Sequence, residues 1–224
     1  MLPPERPYKY IPYTEKPIGR FGTWRLAQKI RRYLHYRDGL THHVYKWAQR
    51  VITTEIQLCA TAQREVFLKE EIGKLDMSST EYDQKQLHKW AKELELLGKK
   101  FWRLERMLYG AESRGEKGPA KDAYLSLRQK PGWHLKSKWL REDCAKRGGC
   151  CGRQCKCCEN PPDSYRIKGW GHCTIECACC YRRRGFKLED EKDQKLFQPK
   201  FDVSSLPMTE YSVSIFRAYI WALE

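Results

Sequence analysis

Two long stretches of the chain repeat their apolar residues with helical spacing. The first, residues 41–75, contains no proline, and apolar side chains recur every three or four positions from Val44 to Val66. Residues 76–80 interrupt the pattern, and a second stretch then carries a heptad seam. Its apolar positions are Leu87, Trp90, Leu94, Leu97, Phe101, Leu104 and Leu108. Two long helices joined by a short turn predict an antiparallel helical hairpin.

Shorter segments complete a mainly α fold. Residues 1–22 are rich in proline and tyrosine, which predicts an extended N-terminal arm. Residues 23–143 form the helical body, with a short helix near residues 120–129 that Pro131 and Gly132 end. A cysteine-rich module follows at 144–187, and residues 188–224 form an acidic linker and a C-terminal helix that packs on the body. No segment has the length and apolarity of a membrane span, and the proline-bearing N-terminus is unlike a secretion signal, so we expect a cytoplasmic protein.

The cysteines change this picture from a plain helical bundle to a bundle with a specialised module. Ten of the 11 cysteines lie between Cys144 and Cys180. Their pattern, G-[C/H]-C-x3-C-x-C-C, occurs at 149–158 and again without a gap at 171–180. The repeat makes His172 the counterpart of Cys150, and zinc accepts imidazole and thiolate ligands alike. An odd cysteine total in a reducing compartment also favours metal ligation over disulfides.

We therefore predict a zinc-stabilised module. Eleven ligands are enough for two tetrahedral sites, or for three if thiolates bridge two metals, so two or three structural zinc ions are expected. The module has too few apolar residues to bury a core, and metal binding would supply its folding energy. Disulfides between the repeats and an iron–sulfur cluster stay open as alternatives. The predicted ligands are Cys144, Cys150, Cys151, Cys155, Cys157, Cys158, His172, Cys173, Cys177, Cys179 and Cys180.

Residues outside the repeat receive smaller roles. Cys59 lies alone on the apolar side of the first helix and is expected to be a small buried hydrophobe. His42, His43 and His88 show no partner pattern and are assigned none.

The net charge of +15 is concentrated on both sides of the hairpin, while residues 41–112 are nearly balanced. This distribution indicates a surface that faces a polyanion such as a nucleic acid. Two alternatives stay open: the charge serves general solubility, or the arginines of the module neutralise thiolates. The predicted nucleic-acid contacts are Arg25, Lys29, Arg32, Arg153, Lys156, Arg182, Arg183 and Arg184.

The segments AYLSLRQKPGW, CAKRGGCCGRQCKCC and KGWGHCTIECACCYRRRGF, between Ala123 and Phe186, resemble a group of small cysteine-rich proteins of filamentous fungi. The match covers about a third of the chain and is specific in its cysteine motifs. The resemblance points to the arginine-containing cyclodipeptide synthases, which join aminoacyl groups from two charged tRNAs, one of them arginyl-tRNA. It implies an enzyme with tRNA partners, an acidic or carbonyl-lined pocket for the arginyl side chain, and a general base for the attacking amine.

No catalytic residue can be carried over from the resemblance. Ser126, His134, Glu142 and Asp143 lie beside the cysteines in sequence, and each is better explained by a structural or solvent-exposed role. Two other function classes stay open: a non-catalytic zinc-stabilised module that binds RNA or DNA, and a protein-interaction or metal-handling protein. The oligomeric state is left undetermined by the sequence.

Overall fold

The computed structural model describes residues 42–75, 81–114, 119–160, 171–184, 190–192, 215–216, 218–220 and 222. This part of the chain contains helices and turns and no strand, which confirms the mainly α fold class. Five α-helices follow one another in the order α1 His42–Leu75, α2 Glu81–Arg114, α3 Pro119–Arg128, α4 Lys138–Lys146 and α5 Ala178–Arg184. Two 3-10 turns lie at Trp133–Leu135 and Cys150–Gly152.

Helices α1 and α2 form the predicted antiparallel hairpin. Trp47, near the start of α1, donates from Nε1 to the carbonyl oxygen of Ala111, near the end of α2, at 3.1 Å. Farther along α1, Arg64 forms an ion pair with Glu93 at 2.7 Å. The heptad seam faces α1, and its C-terminal half, which includes Phe101, is buried most deeply. Burial of this apolar seam is what holds the two long helices together.

Helix α1 lies at the centre of the bundle. Its apolar side packs with Tyr124 of α3 and with Ile215, Phe216 and Ile220 near the C-terminus. The ring of Tyr45 lies 4.5 Å from that of Phe216 between centroids. Residues 215–216 and 218–220 are helical, and the described part of the C-terminal segment packs on the body.

Several predictions fall outside the described residues. These are the N-terminal arm 1–22, the predicted nucleic-acid contacts Arg25, Lys29 and Arg32, and most of the acidic linker. Among the helices that are described, none combines the length and the apolar character needed to cross a bilayer.

Candidate metal centre

The first cysteine repeat is attached to the end of α4. Ser137 caps this helix by accepting a hydrogen bond from the backbone N–H of Leu140 at 3.2 Å, and Cys144 lies in the last turn of the helix. Gly148 ends the helix in the left-handed region, at φ 73°, where glycine is favoured. The next residue, Gly149, passes so close to α4 that an added Cβ would lie 2.3 Å from Cys144 Sγ.

The eleven predicted ligands assemble into three groups of four, because Cys150 belongs to two of them. In each group the ligand atoms all lie within 4.8 Å of one another. Site 1 contains Cys144, Cys151, Cys158 and His172; site 2 contains Cys150, Cys173, Cys177 and Cys180; site 3 contains Cys150, Cys155, Cys157 and Cys179. The cluster is compatible with metal binding, and every ligand predicted from the sequence takes part in it.

The spacing of the sulfur atoms fits metal coordination better than disulfides. All eleven cysteines are free, and Cys150 Sγ lies 3.5 Å from Cys180 Sγ while Cys144 Sγ lies 4.0 Å from Cys158 Sγ. A disulfide requires about 2.05 Å. Four thiolates around a metal at about 2.3 Å are separated by roughly 3.8 Å, which the observed distances bracket.

The two repeats exchange one ligand with each other. Each repeat supplies its third and tenth residues to its own site, and its second residue to the site of the other repeat. His172 of the second repeat therefore completes site 1, and Cys150 of the first repeat completes site 2. The fourth ligand breaks this symmetry, since it is Cys144 of α4 in site 1 and Cys177 in site 2. Neither repeat could form its site alone.

The histidine of site 1 is oriented by the backbone. His172 Nε2 lies 2.8 Å from the carbonyl oxygen of His134, and because a carbonyl can only accept, Nε2 carries the hydrogen. Nδ1 keeps its lone pair and lies 3.2 Å from Cys151 Sγ, inside site 1. Metal-binding histidines in proteins are held in this way by a hydrogen bond on the distal nitrogen.

His134 itself supports site 1 from outside. Burial, together with the neighbouring His172, lowers the pKa of His134 to about 4, so its imidazole is neutral at physiological pH. Its Nε2 donates to the carbonyl oxygen of Cys158 at 2.9 Å, and its ring packs edge-on against His172 with centroids 5.1 Å apart. His134 therefore holds Cys158 and His172 of site 1 in place.

Two arginines lie against the cluster. Arg153 donates from Nη2 to Cys180 Sγ at 2.9 Å, and Arg147 donates to the carbonyl oxygen of Cys173 at 3.3 Å. Burial alone would lower the pKa of Arg147, but the Asp143 carboxylate 2.9 Å from its Nε raises it above its usual range. These contacts favour the charge-neutralising alternative for Arg153.

The remaining predicted nucleic-acid contacts of the module differ in their surroundings. Arg182 of α5 pairs with Glu70 and Glu71 of α1, at 2.5 and 3.0 Å, so it connects the module to the hairpin. Arg183 and Lys156 are exposed. The side chain of Arg184 is outside the described part.

Polar contacts that were not predicted from the sequence attach the module to α1. Gln63 accepts hydrogen bonds through Oε1 from the backbone N–H and the hydroxyl of Thr174, at 2.9 and 2.7 Å. Its Nε2 and the thiol of Cys59 both donate to the carbonyl oxygen of His172. Cys59 is buried as predicted, and burial raises its pKa, so it remains a thiol. A glutamine facing a helical core was the only signal in the sequence.

A buried ion pair connects the core with site 1. Arg128 binds Glu55 through two hydrogen bonds of 2.9 and 2.8 Å, and both side chains are largely buried. The guanidinium lies 3.5 Å from the ring centroid of Trp133, whose ring in turn packs edge-on against His134. Arg128 also donates to the carbonyl oxygens of Tyr219 and Ile220, which attaches the C-terminal segment.

A cleft of about 310 Å³ separates the module from α1. One wall of the cleft is formed by Gln63, Val66 and Glu70 of α1. The opposite wall includes Cys157, Cys179, Asn160, Arg182 and Arg183. The carboxylate of Glu70 and the guanidinium groups of α5 are the charged groups at this cleft. A cleft of this size is large enough for an amino-acid side chain or a small ligand.

The other residues considered for catalysis are engaged elsewhere or exposed. Glu142 contacts Lys138 and Lys146 on its own helix, at 4.0 and 3.9 Å. Asp143 pairs with Arg147, and Ser126 is exposed on α3.

The fold and the ligand groups define the class of protein: a helical bundle that carries a cysteine cluster suited to metal. Comparison with known proteins adds no relative, since no family model, no curated protein and no solved structure matches the chain.

Proposed function

We propose that the cluster holds three structural zinc ions, with Cys150 as a bridging thiolate between sites 2 and 3. Thiolate and imidazole donors in groups of four suit tetrahedral zinc, and a thiolate can bind two metals. Each group is complete with protein ligands, so no position is reserved for a water or a substrate. Three zinc ions and ten thiolates carry a net charge of about −4, which the guanidinium groups of Arg147 and Arg153 partly offset.

Metal analysis of the purified protein, together with two serine variants, tests this assignment. Wild-type protein is expected to contain three zinc ions. Cys144→Ser removes a ligand of site 1 alone, and Cys150→Ser removes a ligand of two sites, so the second variant should lose more metal. Two ions per chain, equal losses in the two variants, or iron in place of zinc would contradict the proposal.

We propose, as the function of the whole chain, an aminoacyl-tRNA-dependent cyclodipeptide synthase that makes an arginine-containing diketopiperazine. The cysteine motif supports this through its resemblance to fungal proteins, and the cleft beside the cluster supports it through its size and the carboxylate of Glu70. In the reaction, the amine of one aminoacyl group attacks the ester carbonyl of the other and displaces its tRNA. The free amine of the resulting dipeptidyl ester then closes the ring and displaces the second tRNA, so two esters become two amides.

The single observation that carries the site assignment is the position of Glu70 in the cleft. A carboxylate can bind a guanidinium through two charge-assisted hydrogen bonds, and Glu70 already binds the guanidinium of Arg182. An arginyl side chain entering the 310 Å³ cleft would compete for the same carboxylate. The metals would keep the cysteine wall of the cleft in place and take no part in the chemistry.

Expression in a bacterial host, followed by mass spectrometry of the medium, tests the activity with the host's own charged tRNAs. An arginine-containing diketopiperazine is expected from wild type and is expected to fall at least about tenfold in Glu70→Gln. Glu71→Gln is the matched control, since Glu71 also binds Arg182 but does not line the cleft. A folded protein that binds tRNA and gives no product would instead favour the non-catalytic RNA-binding alternative.

A further inference from the structure

The basic residues of α2 are concentrated on one side of its outward surface. The helix contains eight basic and six acidic residues, so its sequence is nearly balanced. With about 3.6 residues per turn, all eight basic residues fall within a sector of about 120°. They are Lys85, Lys89, Lys92, Lys99, Lys100, Arg103, Arg106 and Arg114, and all eight are exposed. We call this sector the basic face.

The acidic residues of α2 leave most of this face uncompensated. Glu93 points to α1, where it binds Arg64, and Glu112 accepts a hydrogen bond from the Tyr124 hydroxyl of α3 at 3.0 Å. Two other glutamates pair along the helix with Lys85 and Lys99. Among the described residues, no carboxylate pairs with Lys100, Arg103 or Arg106.

Two exposed aromatic side chains border the basic face. Trp102 is 60 % exposed and Tyr109 is 70 % exposed, and they lie seven residues apart, on the same side of α2. Large aromatics in such positions stack on unpaired bases, which contributes about 1–3 kcal/mol per base. The combination is unusual for a face that serves only solubility, where exposed tryptophan brings no advantage.

We propose that the basic face of α2 binds RNA, with phosphates contacting the lysines and arginines and unpaired bases stacking on Trp102 and Tyr109. The choice of RNA over other polyanions rests on the proposed function, and the location of the surface rests on the structure. From Lys85 to Arg114 the face is about 44 Å long, enough to follow a duplex and reach its unpaired end. The acceptor arm of tRNA is a duplex of this kind, with an unpaired end.

A membrane surface fits the basic face less well. Helices that lie on membranes insert a continuous apolar side beneath their charged side. The continuous apolar side of α2 is buried in the hairpin, where it includes Leu104 and Leu108. The exposed apolar residues within the basic face, Leu96 and Met107, stand eleven positions apart with charged residues between them.

The test compares two triple variants of the full-length protein in binding to unfractionated tRNA at several salt concentrations. Lys100→Gln, Arg103→Gln and Arg106→Gln together remove three charges from the basic face. The control removes three charges from α4 with Lys138→Gln, Arg141→Gln and Lys146→Gln. All six side chains are exposed, so both variants are expected to fold, and circular dichroism is the check.

We expect the first variant to bind tRNA at least about tenfold more weakly and to lower the slope of log affinity against log salt by about two to three. In the control variant, the loss of tRNA affinity and the change of the salt slope should each be less than half as large. Trp102→Ala should weaken binding to tRNA and leave binding to a blunt RNA duplex unchanged. Equal binding by the two triple variants would overturn the proposal, as would wild type that binds phosphatidylserine vesicles and not tRNA.

The outcome is separable from that of the proposed activity. Diketopiperazine formation that survives in the first triple variant, with tRNA affinity unchanged, would retain the enzyme and reject this surface. Binding of tRNA through the basic face without any product would support the surface and reject the enzyme.

Discussion

The imidazole of His172 and the backbone of His134 are joined by a hydrogen bond of 2.8 Å, and this contact determines which nitrogen of His172 faces site 1. Cys150, at the same position in the first repeat, belongs to sites 2 and 3 at once. A neutral imidazole whose second nitrogen is a donor can bind only one metal, whereas a thiolate can bind two. With three metals bound as proposed, Cys150 would serve two sites and His172 one, which matches the residue type at each position.

Replacement of His172 tests this relationship. His172→Ala should release the metal of site 1 and destabilise the protein, because three ligands remain around a buried position. His172→Cys restores a ligand of the type found in the first repeat, so it should keep most of the metal while losing the hydrogen bond to His134. Metal content per chain and thermal unfolding are the measurements. Full metal content in His172→Ala would show that His172 is not a ligand.

Gly149 and Gly171 occupy the same position in the two repeats but have different surroundings. A Cβ at Gly149 would lie 2.3 Å from Cys144 Sγ and 2.7 Å from its carbonyl oxygen, whereas at Gly171 the nearest atom, Cys59 Sγ, is 3.7 Å away. Gly149→Ala should therefore destabilise the protein by about 1–3 kcal/mol through overpacking. Gly171→Ala should stay within about 0.5 kcal/mol. Denaturant unfolding compares the two, and similar losses would contradict the close approach at Gly149.

The helical hairpin was predictable because local patterns determine it. A stretch of 34 residues without proline and a heptad seam indicate long helices, and the structure has them at His42–Leu75 and Glu81–Arg114. Burial around α1 was less predictable. Polar residues such as Glu55 and Gln63 are buried there because distant segments, including Arg128 and Thr174, supply their partners. A periodicity in one helix does not show which polar residues meet a partner from elsewhere in the chain.

The clustering of the repeat cysteines and His172 was predictable from the repeat, while their division into groups of four was not. The exchange of Cys150 and His172 between repeats depends on how the two segments cross in space. Charge counts by segment also concealed the basic face of α2, because Glu93 and Glu112 turn toward α1 and α3 while all eight basic residues stay exposed. Conversely, Arg182 stood out in a run of arginines, yet it binds Glu70 and Glu71.

The buried pair of Glu55 and Arg128 should be far more important for stability than an exposed pair. Glu55→Gln leaves the guanidinium of Arg128 without its charged partner, which should cost about 3–5 kcal/mol. The matched control is Glu81→Gln, which breaks the exposed pair with Lys85 and should cost less than about 1 kcal/mol. Equilibrium unfolding in urea measures both. A small effect at Glu55 would mean that the hydrogen bonds of Arg128 to Tyr219 and Ile220 are enough to retain it.

Removal of metal should unfold the module and leave the hairpin folded. The cysteine cluster packs few apolar side chains besides the cysteines themselves, with Leu135 and Ile175 as its half-buried neighbours, so chelation should unfold it. The hairpin has its own apolar core and should keep most of its helical signal in far-ultraviolet circular dichroism. Alkylation after chelation should label the ten cluster thiols rapidly, whereas in the metal-bound protein Cys59 should react slowly because its thiol is buried and its pKa is raised. Cys59→Ala serves as the control, since it should retain the full metal content. A chelated protein that keeps its native near-ultraviolet spectrum and protects all of its thiols would rule out a structural role for the metal.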